Sequence, residues 1–550
     1  MNYIFKPKLF VTLKNYDSRQ LYKDLMAGLI VGIVALPLAI AFGIASGVSP
    51  EKGLYTAVIA GFLISALGGS RVQIGGPTGA FIVIVYGIIQ QYGLNGLIIS
   101  TFLAGIMLII MGFARLGSVI KFIPHPLIIG FTSGIALIIF SSQVKDGLGL
   151  TMGTVPADFI AKWSAYSQNI QSINLSALAI TLITVLIIIF WPRVTQRVPG
   201  SLIAILATTT LVHVFQLPVE TIGTRFGSIS SSLPTPTVPH IDFETIKVLV
   251  QPAFTIALLG GIESLLSAVV ADSMIGGHHK SNMELVAQGT ANIFSSLFGG
   301  IPATGAIART ATNVKNGGRT PISGITHAIV LLLIILFFGK WASLIPMSTL
   351  AGILLVVAYN MSEWRNFLSV LKGPRSDAAV LLTTFFLTVI FDLTLAIEVG
   401  MLLAIFLFMR SMIRFTGVNT LSAEKNGEED LLPEQGIPKH IEVIEITGPL
   451  FFGAAYKFKE AVQFINRDTN VLIIRMKQVP IIDATGIKTL EEVYKELKHR
   501  GILFVLTEIQ SGQVTKELRD SGLLFEIGIQ NITNTFDEAL QLGSAHLTNK

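Results

Sequence analysis

The 550-residue chain contains no cysteine and has few charged residues. The absence of cysteine excludes disulfides, thiolate metal sites and thiol catalysis. Only 13% of the residues are charged and 51% are apolar, whereas about a quarter of the residues in soluble domains are charged. The mean hydropathy of +0.67 is therefore typical of a protein embedded in a lipid bilayer.

The motifs of several enzyme classes are also missing. The chain has no phosphate-binding loop, no serine-nucleophile elbow and no metalloprotease helix. We therefore expect neither enzyme activity nor ATP-driven transport by this chain alone. The sequence gives no reason to expect a cofactor or a metal, and its basic residues belong to topology-setting loops, so nucleic acid is not an expected partner.

Long apolar runs occupy the first three quarters of the sequence. They predict a polytopic α-helical membrane protein with about fourteen segments, several of them too short to span a bilayer alone. The segments lie near residues 25–46, 53–68, 73–90, 97–113, 120–142, 174–191, 200–216, 252–271, 286–298, 302–314, 321–338, 343–359, 377–391 and 393–412.

The basic residues between these segments predict the orientation of the chain. If the N-terminus is cytoplasmic and the fourteen segments alternate, 18 Lys and Arg fall on the cytoplasmic side and 6 on the opposite side. This asymmetry agrees with the positive-inside rule and places both termini in the cytoplasm. The six external residues are Lys52, Lys145, Lys162, Arg225, Lys247 and Lys340.

A short motif rich in glycine occurs twice. Residues 75–80 read Gly-Gly-Pro-Thr-Gly-Ala, and residues 299–306 read Gly-Gly-Ile-Pro-Ala-Thr-Gly-Ala. The copies fall in the third and tenth segments, and this odd separation predicts two halves of opposite orientation. Broken helices at matching positions of inverted repeats indicate the binding site of a secondary transporter. Chance recurrence in a chain with 51 glycines is the alternative.

The composition changes after residue 414. Residues 1–414 contain 25 Lys and Arg against 15 Asp and Glu, whereas the remainder contains 14 against 19. We therefore predict an N-terminal segment (1–24), a membrane domain (25–414), a linker (415–437) and a C-terminal domain (438–550). Strand-like and helical patterns alternate in the last of these, which predicts a small α/β domain.

Two charged residues lie within apolar segments. Glu263 is in the middle of the eighth segment, where a carboxylate costs at least ~2.5 kcal/mol on insertion scales. It must face a wet cavity, pair with a cation or carry a proton, and we favour the role of proton carrier over a structural ion pair. Arg309 lies in the tenth segment, where a cation beside a helix start suits an anion. A snorkelling side chain or an ion pair with Glu263 is the alternative.

The predicted first turns of the two broken helices consist mostly of small residues. Small side chains let an anion approach the backbone N–H groups, and they also allow close helix packing. The residues are Thr78, Gly79 and Ala80 in the third segment, and Gly305, Ala306 and Ile307 in the tenth.

These motifs resemble those of the sulfate permease (SulP) family of anion transporters. The resemblance rests on residues 53–77 and 292–313, and the C-terminal region is similar to the sulfate transporter and anti-sigma-factor antagonist (STAS) domain at residues 448–452 and 483–486. Within the family, three stretches are most similar to enterobacterial transporters of four-carbon dicarboxylic acids. They are residues 262–266, 276–279 and 360–363.

The resemblance implies a seven-plus-seven inverted repeat in a bacterial inner membrane. Segments one to four and eight to eleven would form a core domain, and the others would form a gate domain that contributes to a homodimer. The core would move past the gate like an elevator. The implied anion site consists of Phe42, Thr78, Gly79, Ala80, Ser267, Gly305, Ala306, Ile307, Ala308 and Arg309.

The resemblance also bears on coupling and regulation. Sodium-coupled bicarbonate relatives have Asp at the position of Glu263 and a hydroxyl near that of Ile307. Because a hard cation needs several oxygen ligands, the sequence favours a proton as the coupling ion. Thr485 matches the residue that is phosphorylated in bacterial STAS proteins, with a plain helix-start role as the alternative. A soluble protein partner of this domain is a further expectation.

The leading hypothesis is therefore a proton-coupled secondary active transporter of a small anion, which would be a dicarboxylate, sulfate or bicarbonate. An uncoupled anion exchanger or channel, in which Glu263 is only structural, is the first alternative. A membrane-tethered signalling protein whose soluble domain is the working part is the second.

Overall fold

The structure is a computed structural model. It describes residues 5–118, 123–153, 155–195, 198–228, 235–237, 239, 243–391, 393–421, 437–466 and 468–548. The chain forms two compact units, Met1–Ala404 and Ile405–Lys550. Most of the predicted linker, residues 422–436, lies outside the described residues.

The first unit is almost entirely helical, and its last helix continues into the second unit. The helices are α1 (Lys8–Thr12), α2 (Ser18–Ala45), α3 (Pro50–Leu67), α4 (Phe81–Phe113), α5 (His125–Ser142), α6 (Val144–Leu148), α7 (Phe159–Gln168), α8 (Leu175–Phe190), α9 (Gly200–Val214), α10 (Ile222–Phe226), α11 (Phe243–Ile275), α12 (Ser281–Leu297), α13 (Ile307–Lys315), α14 (Pro321–Ala342), α15 (Met347–Met361), α16 (Trp364–Leu371), α17 (Arg375–Ile390) and α18 (Leu393–Phe415).

Each of the fourteen predicted segments overlaps one of these helices. Among the described residues, seven helical stretches are long and apolar enough to cross a membrane. Helix α4 covers both the third and the fourth predicted segment, and it is interrupted at Gly93, whose φ is 69° and ψ is −176°. Glycine adopts this backbone conformation without steric cost, so the break between the two segments is encoded at this residue.

The long helices pack in two groups. The core group contains α2, α3, α4, α11, α12, α13 and α14, and the gate group contains α5, α8, α9, α15 and α17. In α18, Gly400 lies against Thr384 of α17 and Leu127 of α5. The core group corresponds to segments one to four and eight to eleven, as the family resemblance implies.

Capping residues explain where two of these helices begin. The Asp17 carboxylate accepts a hydrogen bond of 2.8 Å from the N–H of Gln20, so α2 begins at Ser18, ahead of the boundary predicted at residue 25. In α14, Thr320 is the N-cap residue and Pro321 follows at the first helical position, where its missing N–H costs nothing.

The first unit also contains two strands of two residues each, β1 (Gly75–Gly76) and β2 (Thr304–Gly305). The second unit contains a sheet of five strands with helices between them. Its strands are β3 (Gly417–Leu421), β4 (Ile441–Thr447), β5 (Val471–Gln478), β6 (Leu503–Thr507) and β7 (Ile532–Thr533). Its helices are α19 (Phe452–Gln463), α20 (Ala484–His499), α21 (Gly512–Asp520), α22 (Leu523–Ile527) and α23 (Phe536–Thr548).

The strand order in this sheet is β3-β4-β5-β6-β7, and only β3 runs antiparallel to its neighbour. Both faces of the parallel strands are covered, because apolar residues on each side are buried. The α/β prediction is confirmed. The stretch predicted as a linker, however, contains a strand near its start, since residues 417–421 pair with residues 443–447 of β4.

Candidate functional site

The two copies of the glycine-containing motif lie side by side. Strand β1 (Gly75–Gly76) pairs antiparallel with β2 (Thr304–Gly305). The pairing continues one residue further, where the N–H of Ala306 donates a hydrogen bond of 2.8 Å to the carbonyl of Ile74. The third and tenth predicted segments therefore meet through their backbones.

A helix follows each of these short strands. Helix α4 begins at Phe81 after the N-cap residue Ala80, and α13 begins at Ile307 after the N-cap residue Ala306. The small residues predicted to form the first helical turns, residues 78–80 and 305–306, therefore lie immediately before the helices. The pairing of β1 with β2 holds the backbone extended as far as Gly76 and Gly305. In the first motif a turn then leads into α4, because the N–H groups of Phe81 and Ile82 donate to the carbonyls of Thr78 and Gly79 and Ala80 is already helical.

Glu263 lies on α11, next to the first copy of the motif. Its Oε2 atom accepts a hydrogen bond of 2.9 Å from the Thr78 hydroxyl, and both side chains are partly buried. Within the described part of the chain, no cationic side chain lies within ion-pair distance of this carboxyl. Glu263 is therefore not held in a structural ion pair with Arg309, which the sequence had left open.

Arg309 occupies the junction of the two motifs. The side chain is buried, its Nη2 donates to the carbonyl of Pro77, and its Nη1 has no hydrogen-bond partner among the described residues. A Cβ atom on Gly76, whose φ is 146°, would lie 2.7 Å from Nη1. Glycine at this position thus leaves room for the guanidinium. The Arg309 side chain does not snorkel to the surface.

Two buried polar residues support this junction, and both were missed by the sequence-based prediction. Thr310 Oγ1 accepts a hydrogen bond of 3.0 Å from the N–H of Ile74 and lies 3.3 Å from the Ser267 hydroxyl oxygen. Gln73 Nε2 donates to the hydroxyl of Ser264 over 2.8 Å. Only their position beside the two motifs could have indicated a role for Thr310 and Gln73. The sequence does not show which way a polar side chain points in such a segment.

The remaining predicted residues fall into two classes. The Phe42 ring is buried, and its Cε1 atom would lie 3.6 Å from a Cβ atom on Gly79. Gly305 and Ala306 are also buried. Ile307 and Ala308 are exposed at the start of α13, so they do not take part in the packed junction around Arg309.

Thr485 lies in the second unit, at the start of α20. It is exposed, and the N-cap residue Asp483 accepts a hydrogen bond of 2.7 Å from the N–H of Gly486. An exposed hydroxyl at a helix start is compatible with a plain helix-start role. It is also compatible with phosphorylation, because the helix dipole would stabilise a phosphate there.

Comparison with known proteins gives relatives along the whole chain. "Putative sulfate transporter YvdB" of Bacillus subtilis is 42% identical over 528 residues, which cover 96% of this chain and 98% of the relative. "Bicarbonate transporter BicA" of Picosynechococcus is 31% identical over 545 residues, which cover 95% of this chain and 94% of the relative.

The fold also matches an experimental structure. The murine solute carrier 26 family member A9 anion transporter in its inward-facing state superposes with a TM-score of 0.88 at 19% identity, over 98% of this chain and 94% of that chain. Residues 21–384 match the sulfate permease family, and residues 434–539 match the STAS domain. The chain therefore belongs to the sulfate permease family of anion transporters and carries a C-terminal STAS domain.

Proposed function

We propose that this protein is a secondary active transporter that moves a small anion together with a proton. One observation carries the proposal. The consecutive residues Pro77 and Thr78 contact Arg309 and Glu263 respectively, so a fixed cation and a titratable carboxyl are joined to the same backbone segment. Such an arrangement lets the occupancy of an anion site depend on the charge of a nearby carboxyl.

The anion would bind where α13 begins, opposite the start of α4. The first hydrogen bond of α13 runs from the N–H of Thr310 to the carbonyl of Ala306, so the preceding N–H groups have no partner within the helix. Together with the buried guanidinium of Arg309, these groups provide donors and positive charge for an anion. The small residues beside them keep the backbone approachable.

Glu263 would carry the proton. A carboxylate within an apolar helix is costly when no cation pairs with it, and no described cation does so here. If the anion enters with a protonated Glu263, the loaded site carries one negative charge less when the core group moves. Within the described residues, Thr78 alone supplies a hydrogen bond to this carboxyl. Because a sodium ion would need several oxygen ligands, this sparse set of oxygen atoms favours a proton as the coupling ion.

The transport cycle would use the division into core group and gate group. The paired motifs belong to the core group, so an elevator movement of this group past the gate group would expose the anion to each side in turn. By resemblance to the family, the protein would be a homodimer in the bacterial inner membrane with both termini in the cytoplasm. The STAS domain would bind a soluble protein partner, and Thr485 would be phosphorylated.

The relatives named above suggest sulfate and bicarbonate as substrates, and the sequence resemblance suggests a four-carbon dicarboxylate. Uptake into proteoliposomes of labelled sulfate, bicarbonate and succinate, with and without an inward proton gradient and with and without sodium, tests the proposal. We expect proton-stimulated, sodium-independent uptake of one of these anions.

The same experiment distinguishes the alternatives. Sodium-dependent uptake would show that sodium, and not a proton, is the coupling ion. Anion movement that follows voltage or counter-anion and ignores the proton gradient would indicate a channel or an exchanger. If none of the three anions is transported, the substrate proposal is wrong.

A further inference from the structure

A second polar feature lies away from the paired motifs. A cavity of about 730 Å³ is bordered by α2, α4 and α11 of the core group and by α5, α15 and α17 of the gate group. Its lining includes neither Thr78 nor Glu263 nor Arg309. The cavity is therefore distinct from the proposed anion site, which lies within the core group.

Three cations line this cavity: Lys145, Lys162 and Arg225. They are half of the six basic residues that the charge pattern places on the external side. Because the positive-inside rule disfavours cations there, their convergence on one cavity is notable. The carboxylates of Asp146 and Asp158 also line the cavity, so its lining carries one more positive than negative charge on the predicted external side.

Two of the three cations already have partners. Arg225 pairs with Asp146 over 2.7 Å and also with Glu220. The Lys145 ammonium donates a hydrogen bond of 3.0 Å to the carbonyl of Gly153. Two carboxylates thus balance the charge of Arg225, and one N–H donor of Lys145 is engaged by a carbonyl, so both residues are weaker candidates than Lys162 for holding a ligand.

Lys162 differs from both. The residue is only 4% exposed, and its Nζ makes no hydrogen bond or ion pair within the described part of the chain. Burial lowers the pKa of this ammonium, and the charge of Asp158 acts in the opposite direction. The Asp158 carboxylate itself accepts a hydrogen bond of 2.7 Å from the N–H of Ala161, at the start of α7.

Tyr166 lies one turn after Lys162 on the same face of α7. It is 2% exposed, and its hydroxyl has no partner among the described residues. Tyr166 does not line the cavity, whereas Lys162 does. An ammonium that is largely withdrawn from water and lacks a partner is costly in a folded protein. A bound anion would satisfy the ammonium directly.

We propose that Lys162 and this cavity form an anion-capture site that takes small oxyanions, such as carboxylates or sulfate, before they reach the paired motifs. This role as a loading site rests on the transport function proposed above, whereas anion binding at Lys162 does not. The cavity reaches the paired motifs from one side, because its lining includes Ala41, next to Phe42, and Ile82, in the first turn of α4. From Ile82 to Tyr92 it follows α4 for about 15 Å.

Equilibrium binding to the purified full-length protein tests the site without transport. Sulfate, succinate and bicarbonate are each titrated at low ionic strength into an Arg309→Ala variant, in which the proposed central site is weakened. We expect one anion to retain measurable binding, which Lys162→Gln weakens at least about tenfold, since a hydrogen bond to a charged group is lost.

Three matched variants accompany this change. Lys162→Arg should keep the binding, because the charge remains. Lys145→Gln should also keep it, because that ammonium is already engaged. Lys162→Met replaces Lys162→Gln if the latter is not monodisperse on size exclusion. The inference is overturned if no anion binds to the Arg309→Ala protein, or if both neutral substitutions leave binding unchanged.

Uptake separates this inference from the proposed function. In an otherwise native chain, Lys162→Gln should raise the external KM about tenfold and leave the maximal rate within about twofold, since the translocating site is intact. Uptake by the native protein with an unchanged KM in Lys162→Gln would refute the loading role alone. Absence of uptake by the native protein would refute the proposed function, and the binding result would still decide whether Lys162 holds an anion.

Discussion

The hydroxyl of Thr78 donates a hydrogen bond of 2.9 Å to the carboxyl of Glu263. Thr78 belongs to the first copy of the repeated motif, and Glu263 lies on α11, in the second half of the membrane unit. The bond therefore links the two halves beside the junction that Arg309 occupies. This relationship leads to the proposal that anion binding and the charge of Glu263 are coupled.

Removing the Thr78 hydroxyl should weaken this coupling. We expect Thr78→Val, which keeps the shape of the side chain, to lower proton-stimulated uptake by at least about tenfold, because a hydrogen bond to an ionisable group is worth roughly 1.5–3 kcal/mol. Thr78→Ser keeps the hydroxyl and should retain most of the activity. Initial uptake rates at several external pH values provide the measurement. Equal rates for the valine and serine variants would show that the bond is unimportant.

Arg309 should determine anion affinity. We expect Arg309→Ala to weaken equilibrium binding of the transported anion by about 10- to 100-fold, through loss of a charge-assisted hydrogen bond. Arg309→Lys keeps the charge but not the planar guanidinium that bonds the Pro77 carbonyl, and it should restore affinity only in part. Binding measured by calorimetry checks this. Unchanged affinity in the alanine variant would make Arg309 purely structural.

Gly76 should not tolerate a side chain. Its φ of 146° disfavours other residues, and a Cβ atom there would lie 2.7 Å from Arg309 Nη1. We expect Gly76→Ala to lower the melting temperature and the anion affinity together. Gly87→Ala is the matched control, because a Cβ atom at Gly87 has no neighbour within 4 Å, and alanine favours the helix. Similar melting temperatures for the two variants would contradict the proposed packing.

The pair formed by Glu220 and Arg225 gives a pH dependence outside the membrane-spanning helices. A hydrogen bond from Arg225 lowers the pKa of Glu220. Its contribution to stability is therefore present above the unfolded-state pKa and is lost as the pH falls through the lower folded-state pKa. Because Glu220 is about half exposed, we expect Glu220→Gln to lower the melting temperature by only about 1–2 °C at pH 7.

At strongly acidic pH the difference between Glu220→Gln and the native protein should vanish, since Glu220 is then protonated in both the folded and the unfolded state. Thermal unfolding followed by intrinsic fluorescence at neutral and acidic pH provides the comparison. A difference that grows as the pH falls would contradict the assignment.

Much of the membrane unit could be predicted from the sequence. Hydropathy located segments that overlap helices, and the repeated motif located the two strands that pair as β1 and β2. Both predictions depend on local patterns, which a sequence carries directly. The division into core group and gate group came from the family resemblance and agrees with the helix packing.

The direction of individual side chains could not be predicted. Arg309 was expected either to bind an anion, to snorkel or to pair with Glu263, and it bonds the carbonyl of Pro77. That contact depends on the approach of two segments 232 residues apart in sequence. Strand β3 was missed for the same reason, because its pairing partner β4 lies beyond residues 422–436.

The most direct test of the account replaces Glu263 by glutamine, which keeps the shape of the side chain and removes its titration. Uptake of the transported anion into proteoliposomes is measured with and without an inward proton gradient, and equilibrium binding of the same anion is measured in parallel. We predict that Glu263→Gln retains anion binding and loses all stimulation by the proton gradient. Uptake in this variant that still follows the proton gradient would contradict the central claim that Glu263 carries the coupled proton.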